Sequence, residues 1–303
     1  AYAEFWPKDP PTRVAVQVGA LAGNSSVEIQ CTAMLPGFER EVVTVPGLPA
    51  LKGFPLSFAV RGDGMIYASG SQGIDFKTMK LVPGGAGPET KRTMENLKNI
   101  LEAAGTSLEN AVVCELSLRD MAADFKAANE AYQAFFSKGN FPARIAVQVA
   151  ALAGGAAVEV RCTAAESASG RKVVKVPQLP ETNFPLSSAI VAKDTVYASG
   201  MLGVDMKAGT LVPGGIANET RQALENLQDV LEAAGAEMKD VTICEVSLRD
   251  MKDFKGLNAI YASFWPEDPP ARVAVQVGAL ALGASVEIKC TAVLGSSSQA
   301  IVV

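Results

Sequence analysis

The feature that most constrains this chain is that it repeats itself. Residues 1–35, AYAEFWPKDPPTRVAVQVGALAGNSSVEIQCTAML, return at 260–294 as IYASFWPEDPPARVAVQVGALALGASVEIKCTAVL, without a gap and at an offset of 259. A looser copy, AYQAFFSKGNFPARIAVQVAALAGGAAVEVRCTA, occupies 131–164, and a second block, 64–105, recurs at 194–235. Arg144 follows Arg13 by 131 residues and Arg272 follows Arg144 by 128. A period of that size is too long for a solenoid and suits one globular domain per repeat. The period divides the chain into 1–36, the closing third of a unit, then 37–167 and 168–294, two full units, and 295–303, a tail or the opening of a further unit. Ends that fall inside units are expected of a piece of a longer array. They are equally expected of a circular permutation in which partial ends of neighbouring chains complement each other.

Composition narrows the class. Hydrophobic residues make up 49% of the 303 and charged residues 19%, enough apolar material for a core in each unit. The net charge is −5 with no Lys/Arg run, which argues against nucleic acid and anionic membranes as partners. No stretch reaches transmembrane length and no signal peptide is visible, so an intracellular, cytoplasmic protein is expected. Cys31, Cys162 and Cys290 share one repeat position, and Cys114 and Cys244 another. Their odd number, the absence of CxxC spacing and their apolar surroundings predict buried, reduced thiols rather than a disulfide framework or a zinc site. The chain contains no histidine, which removes Ser-His, Cys-His and most zinc mechanisms.

Within 168–294 the elements follow from periodicity. KVVKV (172–176) and 187–200 read as strands, VPGG (212–215) as a turn, and ETRQALENLQDVLEAAG (219–235) as a helix. In that helix Leu224, Leu227, Leu231 and Ala234 fall on one face, and Gly235 is placed to end it. Residues 240–250 read as a strand and 253–265 as a second helix, closed by Asp268-Pro269-Pro270. RVAVQVGAL and ASVEIKCTAV then read as a hairpin. Alternation puts Val273, Val275, Val277, Val286, Ile288 and Cys290 on a face under the helices. The opposite face carries Arg272 and Glu287 and suits burial against another sheet. The unit is α+β, with one helix-covered sheet.

VYASGMLGVD, LVPGG, ETRQALENLQDVLEAAG, VSLRDMKDF, YASFWPEDPPARVAVQV and VEIKCTA, in this order, resemble the RidA family over nearly the whole chain. The resemblance implies chorismate-mutase-like α+β domains in tandem, in a trimer-like (pseudo-trimeric) arrangement with clefts between neighbouring repeats. It also implies hydrolysis of small 2-imino acids to 2-keto acids and ammonia. The family arginine, which binds substrate, falls on Arg13, Arg144 and Arg272. The catalytic glutamate falls on Glu28, Glu159 and Glu287, the helix asparagine on Asn129 and Asn258, and the Ser-Gly turn on Ser69-Gly70 and Ser199-Gly200.

That chemistry is coherent on its own terms. A small carboxylate-bearing imine or keto acid is the expected partner, since Arg grips carboxylates bidentately and an imine carbon is already electrophilic. An oriented water and a Glu proton shuttle suffice, so no metal and no organic cofactor is expected. Three departures stand out. Leu56 and Leu186 replace the family tyrosine, Ser71 and Met201 replace the glutamine after the Ser-Gly pair, and Ala15, Ala146 and Ala274 follow the arginines. The bland reading pairs each arginine with the glutamate fifteen residues on. The alternative function is a non-catalytic structural or ligand-sensing array within a larger protein assembly. The RNA cleavage ascribed to some relatives suits the acidic balance poorly.

Overall fold

The computed structural model describes residues 1–48, 53–166, 170–177 and 183–295. The expected 167/168 junction, and the tail beyond residue 295, lie outside the described residues. Two copies of one α+β plan account for most of the chain. The first module contains β1 (Arg40–Val43), β2 (Ala59–Gly62), β3 (Met65–Ala68), α1 (Ala86–Ala103), β4 (Ala111–Leu118), α2 (Met121–Gln133), β5 (Ala143–Gln148) and β6 (Val158–Ala165). The second contains β7 (Lys172–Val174), β8 (Ala189–Ala192), β9 (Thr195–Ala198), α3 (Ile216–Ala234), β10 (Val241–Leu248), α4 (Phe254–Phe264), β11 (Ala271–Gln276) and β12 (Val286–Val293).

The helices form where the periodicity places them. In α3 Leu224, Leu227, Val230 and Leu231 are fully buried, and Gly235 closes the helix in the left-handed region at φ 85°. The helix begins at Ile216, three residues ahead of the expected Glu219, because Gly214 and Gly215 at positive φ turn the chain into it. In α1 Met94, Leu97, Ile100 and Leu101 form the matching stripe. Each such side chain contributes roughly 1.5–3 kcal/mol by burial, so the two stripes anchor the helices to their sheets. Asp120 caps α2 by accepting from the backbone N–H groups of Ala122 and Ala123. Among the described residues no helix is long and apolar enough to cross a membrane.

The sheets correct two expectations. The first runs β1-β2-β3-β6-β4-β5 and the second β11-β10-β12-β9-β8-β7, with residues Ala20–Leu21 added beside β11. The expected hairpin of β11 and β12 does not form. β10 lies between them, parallel to β11 and antiparallel to β12. The loop after β11 is therefore a crossover around one strand, which alternation alone cannot reveal. The faces change accordingly. Val286, Ile288 and Cys290 of β12 do pack under the helices, as expected. On β11 the phase is reversed: Ala274 joins the helix-side core and the Gln276 side chain accepts from the N–H of Met251, whereas Val273, Val275 and Val277 face away from the helices. Arg272 and Glu287 thus lie on opposite faces of one sheet.

The cysteine expectation is also corrected. Cys114 faces Cys162 and Cys244 faces Cys290 directly across antiparallel ladders, at Cα separations of 4.2 Å, and both pairs are disulfide-bonded. All four are buried as expected, but they are not reduced thiols, and Cys31 is exposed and free. Linear spacings of 48 and 46 residues give no sign that β4 meets β6 or that β10 meets β12.

The modules touch through apolar and ionic contacts. Met65, Val112, Val113, Ala143 and Ala165 of the first pack with Ile190 and Ala192 of the second. Lys289, almost fully buried, bridges Glu245 of its own module at 2.9 Å and Glu115 of the other, which also pairs with Arg161. Burial works against the Glu115 charge, but Arg161 and Lys289 outweigh it and hold that carboxyl down to about 2. Backbone hydrogen bonds link the repeats at equivalent points. Gln17 N–H donates to the Ala151 carbonyl, Gln148 N–H to that of Ala279, and Gly19 N–H to that of Gln276. Valines from all three segments, among them Val16, Val147 and Val275, enclose a cavity of about 130 Å³ where they meet.

Candidate functional site between the modules

Arg144 lies on β5, the edge strand of the first sheet. Its backbone is clamped by the second module: its N–H donates to Ser199 Oγ at 2.8 Å and its carbonyl accepts from Gly200 N–H at 3.0 Å. Ser199 Oγ in turn donates to the Ser187 carbonyl at 2.6 Å, which fixes the hydroxyl. The guanidinium turns toward α2. Nη1 donates to Asn129 Oδ1 at 2.7 Å, and the charge stands 5.3 Å from the Tyr132 ring and 5.9 Å from that of Phe125. Phe184 of the second module approaches Phe125 at 6.2 Å.

Glu287 enters the same junction from β12. A Cβ on Gly200 would stand 2.1 Å from Glu287 Oε1, so only glycine there leaves room for the carboxyl against the backbone. Glu287 Oε2 is buried and has no hydrogen-bond partner. Burial pushes the carboxyl up to about 8, against the opposing pull of Arg144 and Lys289. Burial also lowers the Arg144 guanidinium, offset by Tyr132 and Glu287.

A second junction repeats the plan between the N-terminal segment and the first module. Arg13 N–H donates to Ser69 Oγ at 2.9 Å, Gly70 N–H donates to the Arg13 carbonyl at 3.1 Å, and Ser69 Oγ donates to the Ser57 carbonyl at 2.6 Å. Glu159 lies against Gly70, where a Cβ would again stand 2.1 Å from its Oε1. Here the carboxylate has a partner: Gln72 Nε2 donates to Glu159 Oε2 at 2.8 Å. Burial raises this carboxyl as well, while Gln72, Arg161 and Arg13 pull it back. Arg13 lies 5.2 Å from the Tyr2 ring.

The third set is not assembled. Arg272 stacks on Tyr261 at 4.6 Å and Phe254 at 5.5 Å, but Asn258 Oδ1 is buried with no partner. Glu28 is exposed in an extended stretch outside any strand, where Val27 and Ile29 are exposed too. In the full modules the equivalent residues lie in the middle of a sheet, flanked on both sides. Among the described residues segment 25–35 has no such flanking strands, and Glu28 is not brought to an arginine.

In both full modules the pairing of the arginine with the glutamate fifteen residues on is also absent, because the two point to opposite faces. In the two assembled junctions the glutamate feels the arginine of the preceding copy, Glu159 that of Arg13 and Glu287 that of Arg144. Sequence reasoning missed Gln72 and the rings of Phe125 and Tyr132. The signal for Gln72 was present as a difference between copies, SGSQG at 69–73 against SGMLG at 199–203.

Residues 50–166 and 177–294 each match the family described as Endoribonuclease L-PSP. The 2-iminobutanoate/2-iminopropanoate deaminase of Mus musculus is 43% identical over 125 residues, covering 41% of this chain and 93% of the relative. That of Bos taurus is 41% identical over 130 residues, covering 43% and 95%. The crystal structure of a putative endoribonuclease L-PSP from Entamoeba histolytica is 38% identical and covers 41% of this chain and 100% of that one, with a TM-score of 0.40.

Proposed function

Because this chain belongs to the Endoribonuclease L-PSP family, the RidA family, with two copies in tandem, we propose that it is a hydrolase of small 2-imino acids working at clefts between its repeats. The observation that carries the reading is the convergence of Arg144 and Asn129 from one module with Ser199, Gly200 and Glu287 from the next. The chorismate-mutase-like, trimer-like arrangement of the repeats belongs to the same proposal. The equivalent contacts of Gln17, Gln148 and Gly19 support it, as does the ring of valines they surround.

Arg144 binds the substrate carboxylate through the guanidinium N–H groups that Asn129 leaves free. Glu287, protonated at neutral pH, donates to the imine nitrogen while water adds to the carbon, and the carboxylate so formed takes back the proton that the added water sheds. The resulting carbinolamine loses ammonia and leaves the 2-keto acid, so one imine and one water give one keto acid and one ammonia. The Arg13, Glu159 and Gly70 cleft is built on the same pattern. Release of ammonia and keto acid from an imine generated in situ tests the reading. It should fall at least about a hundredfold in the Arg13→Ala, Arg144→Ala double variant, and equal rates would overturn it.

One observation favours a second reading, ligand sensing or a structural role. Arg144 is only 3% exposed, tied to Asn129 and flanked by rings. No turnover, with keto acids still raising the melting temperature, would select sensing. Recovery only in complex with other proteins would select the structural role. An intracellular location stays part of the proposal. The bridged cysteines, which a reducing cytosol disfavours, count against it, and cell fractionation decides.

A further inference from the structure

The two assembled clefts share one register and differ in one side chain. Glu159 pairs with Gln72 across β6, and Glu287 pairs with Leu202 across β12. Both glutamates lie against a glycine, and both face the arginine of the preceding copy. Gln72 reaches Glu159 Oε2 at 2.8 Å, whereas Leu202 offers no donor and Glu287 Oε2 is left without a partner.

We propose that position 72/202 is a positioning residue that makes the two clefts of one chain unequal, with Gln72 holding Glu159 as an oriented carboxylate and Leu202 leaving Glu287 free to carry and deliver a proton. The consequence for turnover rests on the hydrolase reading above; the difference between the glutamates does not. The physical basis is simple. An amide N–H bonded to a carboxyl oxygen stabilises the ionised form and occupies the oxygen. A carboxyl facing an alkyl side chain has neither effect and keeps its proton to higher pH. The charged groups around each glutamate do not cancel the contrast. Glu159 faces Arg13 from the N-terminal segment and Arg161 on its own strand, while Glu287 faces Arg144 from the first module and Lys289 on its own strand. Each glutamate has two cations nearby, and only Glu159 also has an amide donor. The Arg144 cleft is then the one that protonates an imine at neutral and mildly alkaline pH. The Arg13 cleft, whose Glu159 carries the stabilising amide, then loses its proton at lower pH than the Arg144 cleft does.

The test exchanges the two residues. Carboxyl carbon NMR of the full chain, with the resonances assigned through Glu159→Gln and Glu287→Gln, reads each titration without any need for turnover. Gln72→Leu should weaken the acidity of Glu159 about tenfold, and Leu202→Gln should strengthen that of Glu287 by a similar factor. Imine hydrolysis is then followed against pH in single-cleft backgrounds, Arg13→Ala to isolate the Arg144 cleft and Arg144→Ala to isolate the other. The alkaline limb of kcat should shift downward with Leu202→Gln and upward with Gln72→Leu, with KM changing less than twofold. Titrations that do not move on the exchange overturn the proposal. So do titrations that move while the kcat limb stays in place. Titrations that move in a protein with no turnover in any background support the positioning role and overturn the hydrolase reading instead.

Discussion

At the scale of single residues the proposed chemistry turns on one carboxyl and one glycine. Glu287 holds its proton to about 8 in the fold, chiefly through burial, against 4.5 for an ordinary glutamate. The folded state therefore binds this proton more tightly than the unfolded chain does. The associated stability is present at acid pH and is lost as pH rises from the ordinary value through the folded one. Glu287→Gln, which cannot ionise, should match the parent in urea unfolding near pH 4. At pH 9 it should exceed the parent by roughly 2–4 kcal/mol, while losing activity at every pH. Gly200→Ala addresses the same carboxyl sterically. A Cβ 2.1 Å from Oε1 must displace it, so kcat/KM of the Arg144 cleft should fall at least about tenfold with the protein still folded. Gly200 was legible in the sequence as half of a repeated Ser-Gly pair. The reason it must be glycine was not, because the obstructing atom comes from a residue 87 positions along the chain.

At the scale of elements the strand order decides more than the strands themselves. Helices and most strands could be read from their periods, since burial of one face is a local pattern. That β10 inserts between β11 and β12 could not, and with it went the facing of Arg272 and the pairing of the cysteines. Each disulfide joins two neighbouring central strands beneath the helices, at sequence separations of 48 and 46. Closing loops of that length stabilises by about 2–4 kcal/mol. A Cys114→Ala, Cys162→Ala variant should therefore melt lower than the parent under oxidising conditions, and the two should converge once the parent's bridges are reduced in the unfolded chain. The ionic contact between modules permits a sharper test. Glu115→Ala removes a carboxylate shared by buried Lys289 and half-buried Arg161, leaving Glu245 beside the lysine and Glu159 near the arginine, and should cost up to about 3 kcal/mol. Replacing Glu115 and Lys289 together by apolar residues should recover most of that loss in the same unfolding assay.

At the scale of the whole molecule the repeats act on each other, and the N-terminal segment shows how. It supplies Arg13 to the first module, Gln17 to the loop after β5, and Ala20–Leu21 to the free edge of β11. Deleting residues 1–24 should leave both modules folded by circular dichroism. It should abolish the activity of the Arg13 cleft, retain that of the Arg144 cleft, and expose β11 as an unpaired edge that promotes self-association in sedimentation.

The sequence by itself determined the repeat period, the helices with their buried stripes, and the family. Each of these is either a local pattern or a comparison of the chain with its own copies. The tertiary structure alone decided which copy's glutamate meets which arginine, and that the set of Arg272, Asn258 and Glu28 stays unassembled. It also decided that Gln72 bonds Glu159 while Glu287 Oε2 is left without a donor. The physical reason is common to all three: an alternating pattern says that a strand has two faces, but which face meets a neighbour depends on strand order and module contact, and these are set by packing between residues far apart in the chain.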